Sequence, residues 1–307
     1  MPAIQSHWWQ ASESTKPIRM SNTERRGFSI RIFLPDGSPD GLKIVEKSNW
    51  TGKGVVCPRA LFGDAKRRSE FQKTGVYLLL GPVTESGLPQ AYIGEGDPLR
   101  PRLEQHAAKK DFWTTAILFL SKDENLNKAH VQYLESRLLE VARDAKRCKL
   151  ENGNEPQLPS LSESDVAEVE GFLDEMLLCF PVLGISIFER PVKPTSAVVT
   201  LFLEGRGIAA RGYESAQGFV VLAGSEAAEL ETPSLHPYLH ELRKNLAKSE
   251  ILRGNNGKFV LIQDYLFSSP SNASSIMFGR NDNGRVSWRT KDGRPLKQLQ
   301  EQAAEST

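Results

Sequence analysis

Long apolar runs are missing from this sequence of 307 residues. No stretch approaches the roughly 18 to 20 apolar residues that a membrane-spanning helix needs, and the N-terminus lacks the basic start, apolar core and small-residue cleavage site of a secretory signal. We therefore expect a soluble, cytoplasmic protein with no membrane partner. The 39% hydrophobic and 25% charged fractions are typical of globular proteins, and the length favours two domains.

Cysteine is also scarce. Cys57, Cys148 and Cys179 are odd in number and far apart, and none belongs to a CxxC pair. This spacing provides neither a disulfide framework nor a zinc motif. We interpret all three as structural residues, because a free cysteine behaves as a small hydrophobic side chain.

Net charge is nearly absent, at +1, which by itself argues against a nucleic-acid partner. The distribution is uneven, however. Residues 1–74 carry 13 Lys and Arg against 7 Asp and Glu, residues 243–297 carry 11 against 4, and residues 151–190 carry 1 against 9. In the net charge, the acidic segment at residues 151–190 thus offsets two basic blocks. Local charge attracts a phosphate backbone, so either block is a candidate contact, with an ordinary solvated surface as the alternative.

The sequence pattern divides the chain into five parts and predicts an α+β (mixed α/β) fold. Residues 1–26 lack periodicity and are expected to form a flexible tail. Residues 27–73 alternate short strands with turn sequences and predict a small β-rich N-terminal unit ending near Glu70. Residues 74–150 follow the order β-β-α-β-α. Residues 151–192 are a Pro-, Asn- and Ser-rich linker with an acidic amphipathic helix, and residues 193–300 predict a C-terminal α+β domain.

Within residues 74–150, TGVYLLL and AYIGE predict a hairpin joined by the Gly- and Pro-rich loop GPVTESGLPQ. Asp97 is expected to cap the following helix, with Pro98 at its first position. FWTTAILFLS predicts a third strand. Asn127 is expected to begin a longer helix with apolar residues at helical spacing.

Tyrosines and charged residues in this region are candidates for a site. Tyr77 and Tyr92 lie on neighbouring antiparallel strands and can point to the same face, although such pairs are usually packing contacts. Arg102 and His106 are spaced i, i+4, so they share one helical face, which is also common on ordinary surfaces.

Glu135 discriminates better between a site and ordinary packing. It shares a helical stripe with Val131, Leu138 and Ala142. A carboxylate on a buried face costs several kcal/mol unless it is paired or binds a cation. Mg²⁺ is one such cation, because one or two protein carboxylates often hold it together with water and a substrate phosphate.

The runs GVY, YIGEGD, RLEQH, FW and AHVQYLESRL resemble, in order and residue type, the catalytic module of the GIY-YIG nuclease family. The resemblance covers roughly residues 74–150. It implies a module with a central three-stranded antiparallel sheet, flanked by the N-terminal unit and the C-terminal domain. The residues that match the family's motifs are Tyr77, Tyr92, Gly94, Arg102, His106 and Glu135.

The resemblance implies an endonuclease that hydrolyses phosphodiester bonds in DNA with Mg²⁺ or Mn²⁺, in restriction, repair or defence against foreign DNA. Glu135 would bind the metal, Arg102 would offset charge on the phosphate, and Tyr77, assisted by His106, would orient or deprotonate water. Gly94 would allow close backbone approach to substrate. The sequence departs from the family in having Val76 for isoleucine and fourteen residues, 78–91, between the motif tyrosines.

The family also commonly has an asparagine after the catalytic helix. Asn152 is the nearest candidate and is left outside the site. The segments DGLKIVEKSNWTGKGVVCPR and FVLIQDYLFSSPSNASSIMFGRNDNGRVSW resemble extensions found beside this module in bacterial proteins, the second being a domain of unassigned function.

Arg280, Arg285 and Arg289, with Trp288, are candidate substrate-binding residues in the C-terminal basic block. Two alternatives to an active nuclease remain. One is a catalytically silent nucleic-acid-binding or assembly subunit. The other is a latent nuclease that a protein partner or a homo-oligomer activates, with the acidic helix at residues 162–180 as the contact surface. That helix is more simply explained as packing on its own chain.

Overall fold

The structure is a computed structural model that describes residues 27–85, 88–153, 156–190 and 198–305. The tail expected at residues 1–26 lies outside the described residues. The described part combines strands and helices in a mixed α+β fold, as the sequence predicts. Across these ranges, no helix has the length and apolar character required to cross a membrane.

Seven strands form the main sheet, in the order β1-β2-β3-β6-β4-β5-β7. Neighbouring strands are antiparallel except β5 and β7, which are parallel. The strands are β1 (Ile30–Phe33), β2 (Lys43–Lys47), β3 (Gly52–Pro58), β4 (Gly75–Val83), β5 (Pro89–Gly96), β6 (Thr115–Ser121) and β7 (Lys149–Leu150).

Helices cover both faces of this sheet. They are α1 (Phe62–Ala65), α2 (Leu99–Lys109), α3 (Lys128–Ala145) and α4 (Glu163–Val182). Tyr77 and Leu79 of β4 pack in a cluster with Leu103 of α2, whereas Val76 and Leu78 pack in the cluster that contains α3 and α4. Successive strand residues therefore serve opposite cores, as the period of two requires.

The predicted three-stranded antiparallel sheet is present as β5-β4-β6, but it does not end there. β3 pairs with β6 over seven residues, from Gly52 with Ser121 to Pro58 with Thr115. The strands of residues 27–73 therefore extend the same sheet, and the prediction of a separate N-terminal unit was wrong. The pairing satisfies the backbone groups that an open edge of β6 would leave exposed.

The β4–β5 hairpin also differs from the prediction. Both strands continue beyond the motif tyrosines, so the connection comprises only residues 84–88 and not the ten-residue loop GPVTESGLPQ. A register shift between Leu80 and Val83 accommodates the extra length. Most of the fourteen residues between the motif tyrosines are thus strand.

The acidic helix belongs to the first domain. Met176 and Phe180 of α4 are buried in the same core as α3, and the core extends to Phe188. Glu170 accepts hydrogen bonds from Tyr133 and Arg137 of α3. The acidic helix predicted within residues 151–192 therefore packs as part of the first domain, because its apolar side completes this core.

One of the two predicted helix caps is confirmed. The Asn127 side chain accepts a hydrogen bond from the backbone N–H of His130 at 3.0 Å. Asp97 does not cap α2. Its carboxylate accepts instead from the Thr74 hydroxyl at 2.6 Å, and Pro98 occupies the N-cap position.

The C-terminal domain contains two small sheets, ordered β14-β10-β9-β8 and β11-β13-β12. Its strands are β8 (Leu201–Gly205), β9 (Ile208–Ser215), β10 (Gly218–Val221), β11 (Glu226–Ala228), β12 (Leu252–Asn255), β13 (Lys258–Leu261) and β14 (Tyr265–Phe267). Its helices are α5 (Pro237–Lys248), α6 (Pro270–Phe278), α7 (Gly284–Ser287) and α8 (Leu296–Glu305).

Trp288 lies in the core of this domain rather than on its surface. Its side chain is 0% exposed, packs on Phe219 with ring centroids 4.6 Å apart, and donates to the Pro270 carbonyl. It is therefore not available for the contact with nucleic acid that the sequence analysis considered for it. The segment KFVLIQDYLF forms two strands of different sheets, because Asp264 turns inward to accept a hydrogen bond from the backbone of Ala223.

The two domains meet at the turn end of the β4–β5 hairpin. Lys146 donates to the Ser249 carbonyl at 2.6 Å, and Arg147 donates to the Leu266 carbonyl at 3.1 Å. Pro82 and Leu88 of the hairpin face Tyr265 across a cleft. The C-terminal domain therefore leaves the other end of the hairpin, where Tyr77 and Gly94 lie, uncovered.

The three cysteines are free thiols, with Cys57 and Cys179 buried and Cys148 half-buried. Burial raises the pKa of Cys57 and of Cys148 to about 12 and that of Cys179 to about 11. All three are protonated at neutral pH, which agrees with the structural role predicted for them.

Candidate active site at the open end of the hairpin

The two motif tyrosines share one face of the sheet, as predicted. Tyr77 of β4 pairs with Gly94 of β5, and Tyr92 pairs with Leu79. The two phenol rings are stacked at an angle of 22°, with centroids 6.3 Å apart. Tyr77 is 1% exposed and Tyr92 is half-buried, and burial raises the pKa of both phenols.

Gly94 is required by the packing of Tyr77. A Cβ atom at Gly94 would lie 2.5 Å from Cζ of Tyr77, a distance at which one of the two groups must move. The space beside this glycine is thus filled by the phenol of the same chain. A contact of Gly94 with substrate stays a prediction.

His106 is the hydrogen-bond partner of Tyr77. The Tyr77 hydroxyl oxygen lies 2.8 Å from Nε2 of His106, and the imidazole also packs on Tyr92 with ring centroids 4.7 Å apart. Burial, followed by the charges of Lys110 and Arg102, lowers the pKa of His106 to about 4. The imidazole is therefore neutral at pH 7, and with Nε2 unprotonated it accepts a hydrogen bond from the Tyr77 hydroxyl.

Arg102 extends from the exposed side of α2, one turn before His106. Its guanidinium donates to the Gln105 side chain at 3.3 Å and forms no ion pair with a described residue. Its charge lowers the pKa of Tyr77 and Tyr92 against the larger effect of burial, so it acts on the space around both phenols. It is free to bind an anion there.

Glu135 lies half-buried on α3, between the buried Val131 and Leu138. Its carboxylate has no hydrogen bond or ion pair with another residue in the described ranges. Burial, followed by the negative charge of Glu95, raises the pKa of Glu135 to about 7, against the opposing effect of Arg102 and Lys128. Among the described residues an ionised Glu135 therefore lacks the direct partner that its place in the apolar stripe requires.

Glu95 and Lys128 were not predicted to belong to the site. Glu95 is 8% exposed, and its carboxylate oxygens lie 2.6 and 2.7 Å from Nζ of Lys128. The signal for Glu95 was strand alternation. It stands two positions after the core residue Ile93, so it points to the α3 side of the sheet.

Glu135 and Glu95 supply the negative charge of the candidate metal site. In the described parts of the chain, no group of three or more His, Cys, Asp and Glu side chains is arranged to hold a metal. A cage built of protein ligands alone is therefore not formed there. The arrangement does fit a hard cation held by Glu135 together with water and substrate phosphate, the manner in which Mg²⁺ is commonly bound.

Asn152 braces the strand that carries Tyr92 and Gly94. Its side chain accepts from the backbone N–H of Ile93 at 3.1 Å and donates to the Ile93 carbonyl at 2.7 Å. It thereby supplies a partner for the backbone of Ile93, two residues beyond the last pair of β5 with β7. Asn152 acts through the backbone and touches none of the other candidate side chains.

The three C-terminal arginines lie apart from this cluster. All are exposed, and none contacts Tyr77, Tyr92 or Glu135. Their partners are Asp282 for Arg280, Gln300 for Arg285 and the Gly293 carbonyl for Arg289. The structure brings together the predicted residues of the first domain and leaves these arginines outside; their contact with nucleic acid stays a prediction.

Comparison with known proteins supports one part of the sequence analysis. Residues 201–300 match the family described as "Domain of unknown function (DUF4357)". This match covers about a third of the chain and confirms a C-terminal domain of unassigned function. No curated protein and no solved structure matches the chain. The resemblance of residues 74–150 to GIY-YIG nucleases was not returned by these comparisons and stays a prediction.

Proposed function

We propose that the protein is a metal-dependent endonuclease that hydrolyses phosphodiester bonds in DNA, in restriction, repair or defence against foreign DNA. The observation that carries the proposal is the half-buried carboxylate of Glu135, which has no direct partner and whose pKa is raised to about 7. It lies in the same electrostatic environment as Tyr77, Tyr92 and Arg102. A carboxylate, a cation and neutral phenols are the groups that phosphodiester hydrolysis needs.

Each side chain has a role that follows from its exposure and charge. Glu135 would hold Mg²⁺ or Mn²⁺, and the bound ion would supply Lewis-acid polarisation of the phosphate and a lower pKa for its water. Arg102 is exposed and binds a non-bridging phosphate oxygen, offsetting the charge that develops there.

The two tyrosines differ in burial, and this gives them different roles. Tyr92 is half-buried, so its hydroxyl orients water or phosphate directly. Tyr77 is 1% exposed and its hydroxyl hydrogen-bonds with the neutral His106, and both rings pack on Tyr92. Burial thus favours Tyr92 over Tyr77 for the direct contact that the sequence analysis assigned to Tyr77.

Incubation of purified protein with plasmid DNA and Mg²⁺ or Mn²⁺ tests the proposal. Glu135→Gln and Arg102→Ala should each lower the cleavage rate by about 10² to 10³, the usual cost of losing one such group. The matched control is Glu140→Gln, an exposed carboxylate on the same helix, which should cleave normally. Unreduced cleavage by Glu135→Gln would contradict the assignment of this residue.

The burial of Tyr77 favours a second candidate, a latent nuclease that opens when a partner binds. Cleavage that requires an added cell fraction, and that is still lost in Glu135→Gln, would support this candidate. DNA binding without cleavage under every metal and partner tested would instead favour a catalytically silent subunit.

A further inference from the structure

Both ends of α2 carry positive charge that the described residues do not neutralise. Arg102, Lys109 and Lys110 are exposed or half-buried, and within the described residues none forms an ion pair with a carboxylate. All three lower the pKa of the nearby His106. Several other cations of this domain do form ion pairs: Lys66 and Arg100 with Glu104, Lys128 with Glu95, and Arg137 with Glu170.

Lys110 is directed at the candidate active site. Its ammonium lies 4.6 Å from the centroid of the Tyr92 ring, where a cation–π contact holds it. A lysine at a helix C-terminus often interacts with the last free carbonyls. Here Arg59 donates to the Ala107 carbonyl at 3.1 Å, and the Lys110 ammonium has no hydrogen bond of that kind.

Lys110 lowers the pKa of the Glu151 carboxylate, but that carboxylate is already bound by other side chains. Glu151 lies 2.9 Å from Lys149 and accepts a hydrogen bond from Gln90, also at 2.9 Å. Among the groups that lower the pKa of Glu151, Lys110 has the smallest effect. The ammonium over Tyr92 thus lacks a neutralising partner among the described residues.

Arg102 and Lys109 lie near opposite ends of α2. Lys109 follows Arg102 by seven residues, which corresponds to about 11 Å at 1.5 Å per residue. A strand of duplex DNA presents one phosphate per about 3.4 Å of the helix axis. A distance of about 11 Å exceeds this rise, so Arg102 and the two lysines are suited to different phosphates of one strand.

We propose that Lys110, assisted by Lys109, is a second phosphate-binding point that lies along the substrate strand from Arg102. The site then takes a polynucleotide strand that extends across Tyr92, rather than a mononucleotide or an isolated phosphodiester. The identity of the ligand as DNA rests on the proposed function.

The salt dependence of DNA binding tests this inference without cleavage. Fluorescence anisotropy with a labelled 20-base-pair duplex in EDTA, from 50 to 200 mM NaCl, measures the slope of log K against log [salt]. Lys110→Gln should reduce the magnitude of that slope by about 1 and weaken binding about five- to tenfold at 0.1 M salt, as expected for one lost phosphate contact.

Lys43→Gln is the matched control. Lys43 is likewise half-buried and has no carboxylate partner among the described residues, but its strand β2 is four strand spacings, about 19 Å, from β5. Its slope should equal that of the unsubstituted protein. An unchanged slope in Lys110→Gln, or an equal reduction in Lys43→Gln, would overturn the inference.

Competition by short strands provides a second measurement. A ten-nucleotide strand should compete less well for Lys110→Gln than for the unsubstituted protein, whereas a dinucleoside monophosphate, with one phosphate, should compete equally for both. An equal effect of the ten-nucleotide strand on both proteins would contradict the second phosphate contact. Cleavage with unchanged slopes would refute this inference alone, and changed slopes without cleavage would refute the nuclease proposal alone.

Discussion

Glu135 should make the protein less stable as pH rises, and Glu135→Gln should remove that effect. Burial raises the pKa of this carboxyl from an ordinary 4.5 to about 7. Between these values the folded state binds more protons than the unfolded state, so stability is lost as pH rises from about 4.5 to about 7. Glutamine cannot ionise and retains the shape of the side chain.

The size of the effect follows from the shift. One pKa unit corresponds to about 1.4 kcal/mol, so the full shift of Glu135 would correspond to about 3 kcal/mol. The side chain is only half-buried, and screening by solvent reduces the expected difference to about 1 to 2 kcal/mol. Urea unfolding in EDTA should therefore give similar free energies for both proteins at pH 4.5, with Glu135→Gln more stable at pH 8.

Added metal should reverse the order of stability of the unsubstituted protein and Glu135→Gln at pH 8. A cation that binds only the folded, ionised protein stabilises it by about 2.7 kcal/mol at 100 times its dissociation constant. Mg²⁺ at pH 8 should thus stabilise the unsubstituted protein and leave Glu135→Gln unchanged, while the exposed Glu140→Gln should respond like the unsubstituted protein. Lower stability of Glu135→Gln at pH 8 in EDTA would refute the reasoning, because it would show that the carboxylate already has a favourable partner.

Three further predictions concern the same cluster. Gly94→Ala should displace the phenol of Tyr77 and cost about 1 to 3 kcal/mol in urea unfolding, because the added carbon overlaps the ring; a free energy equal to that of the unsubstituted protein would contradict the packing. Asn152→Ala should cost about 1 to 3 kcal/mol by the same measurement, because the backbone groups of Ile93 lose their partners. At metal concentrations well below saturation, the cleavage rate should rise with pH to about 7 and then level off, because only ionised Glu135 binds the cation. A rate that is flat between pH 5.5 and 7.5 would show that ionisation of Glu135 does not control metal binding.

Spacing along the chain was sufficient to predict which face each candidate side chain takes. Tyr77 and Tyr92 follow the strand period of two, and Glu135 follows the helical stripe of Val131 and Leu138. These are local rules, and the structure agrees with them. The half-burial of Glu135 also follows from its place in the apolar stripe, but the sequence did not show whether another side chain would pair with its carboxylate.

Long-range pairings were not predictable in the same way. Nothing local in GKGVVCP indicates that β3 will pair with β6, which lies about sixty residues later. The sequence favoured packing of the acidic helix on its own chain, but it did not identify α3 as the partner. The pair of Glu95 and Lys128 is likewise formed by residues 33 positions apart. Such contacts depend on tertiary structure rather than on propensity.

The site draws its groups from both faces of the sheet, and this is possible only at an edge. Tyr92 lies on the α2 side and Glu135 on the α3 side, yet the charge of Glu135 raises the pKa of Tyr92. β7 pairs only with Gln90 and Ala91, and Asn152 adds the pairing of Ile93, so beyond that residue the edge of β5 has no strand neighbour in the described residues. A longer β7 would separate the carboxylates from the phenols with a continuous backbone. The shortness of β7 is therefore a condition for the site, because it lets charged groups of one face act on the phenols of the other.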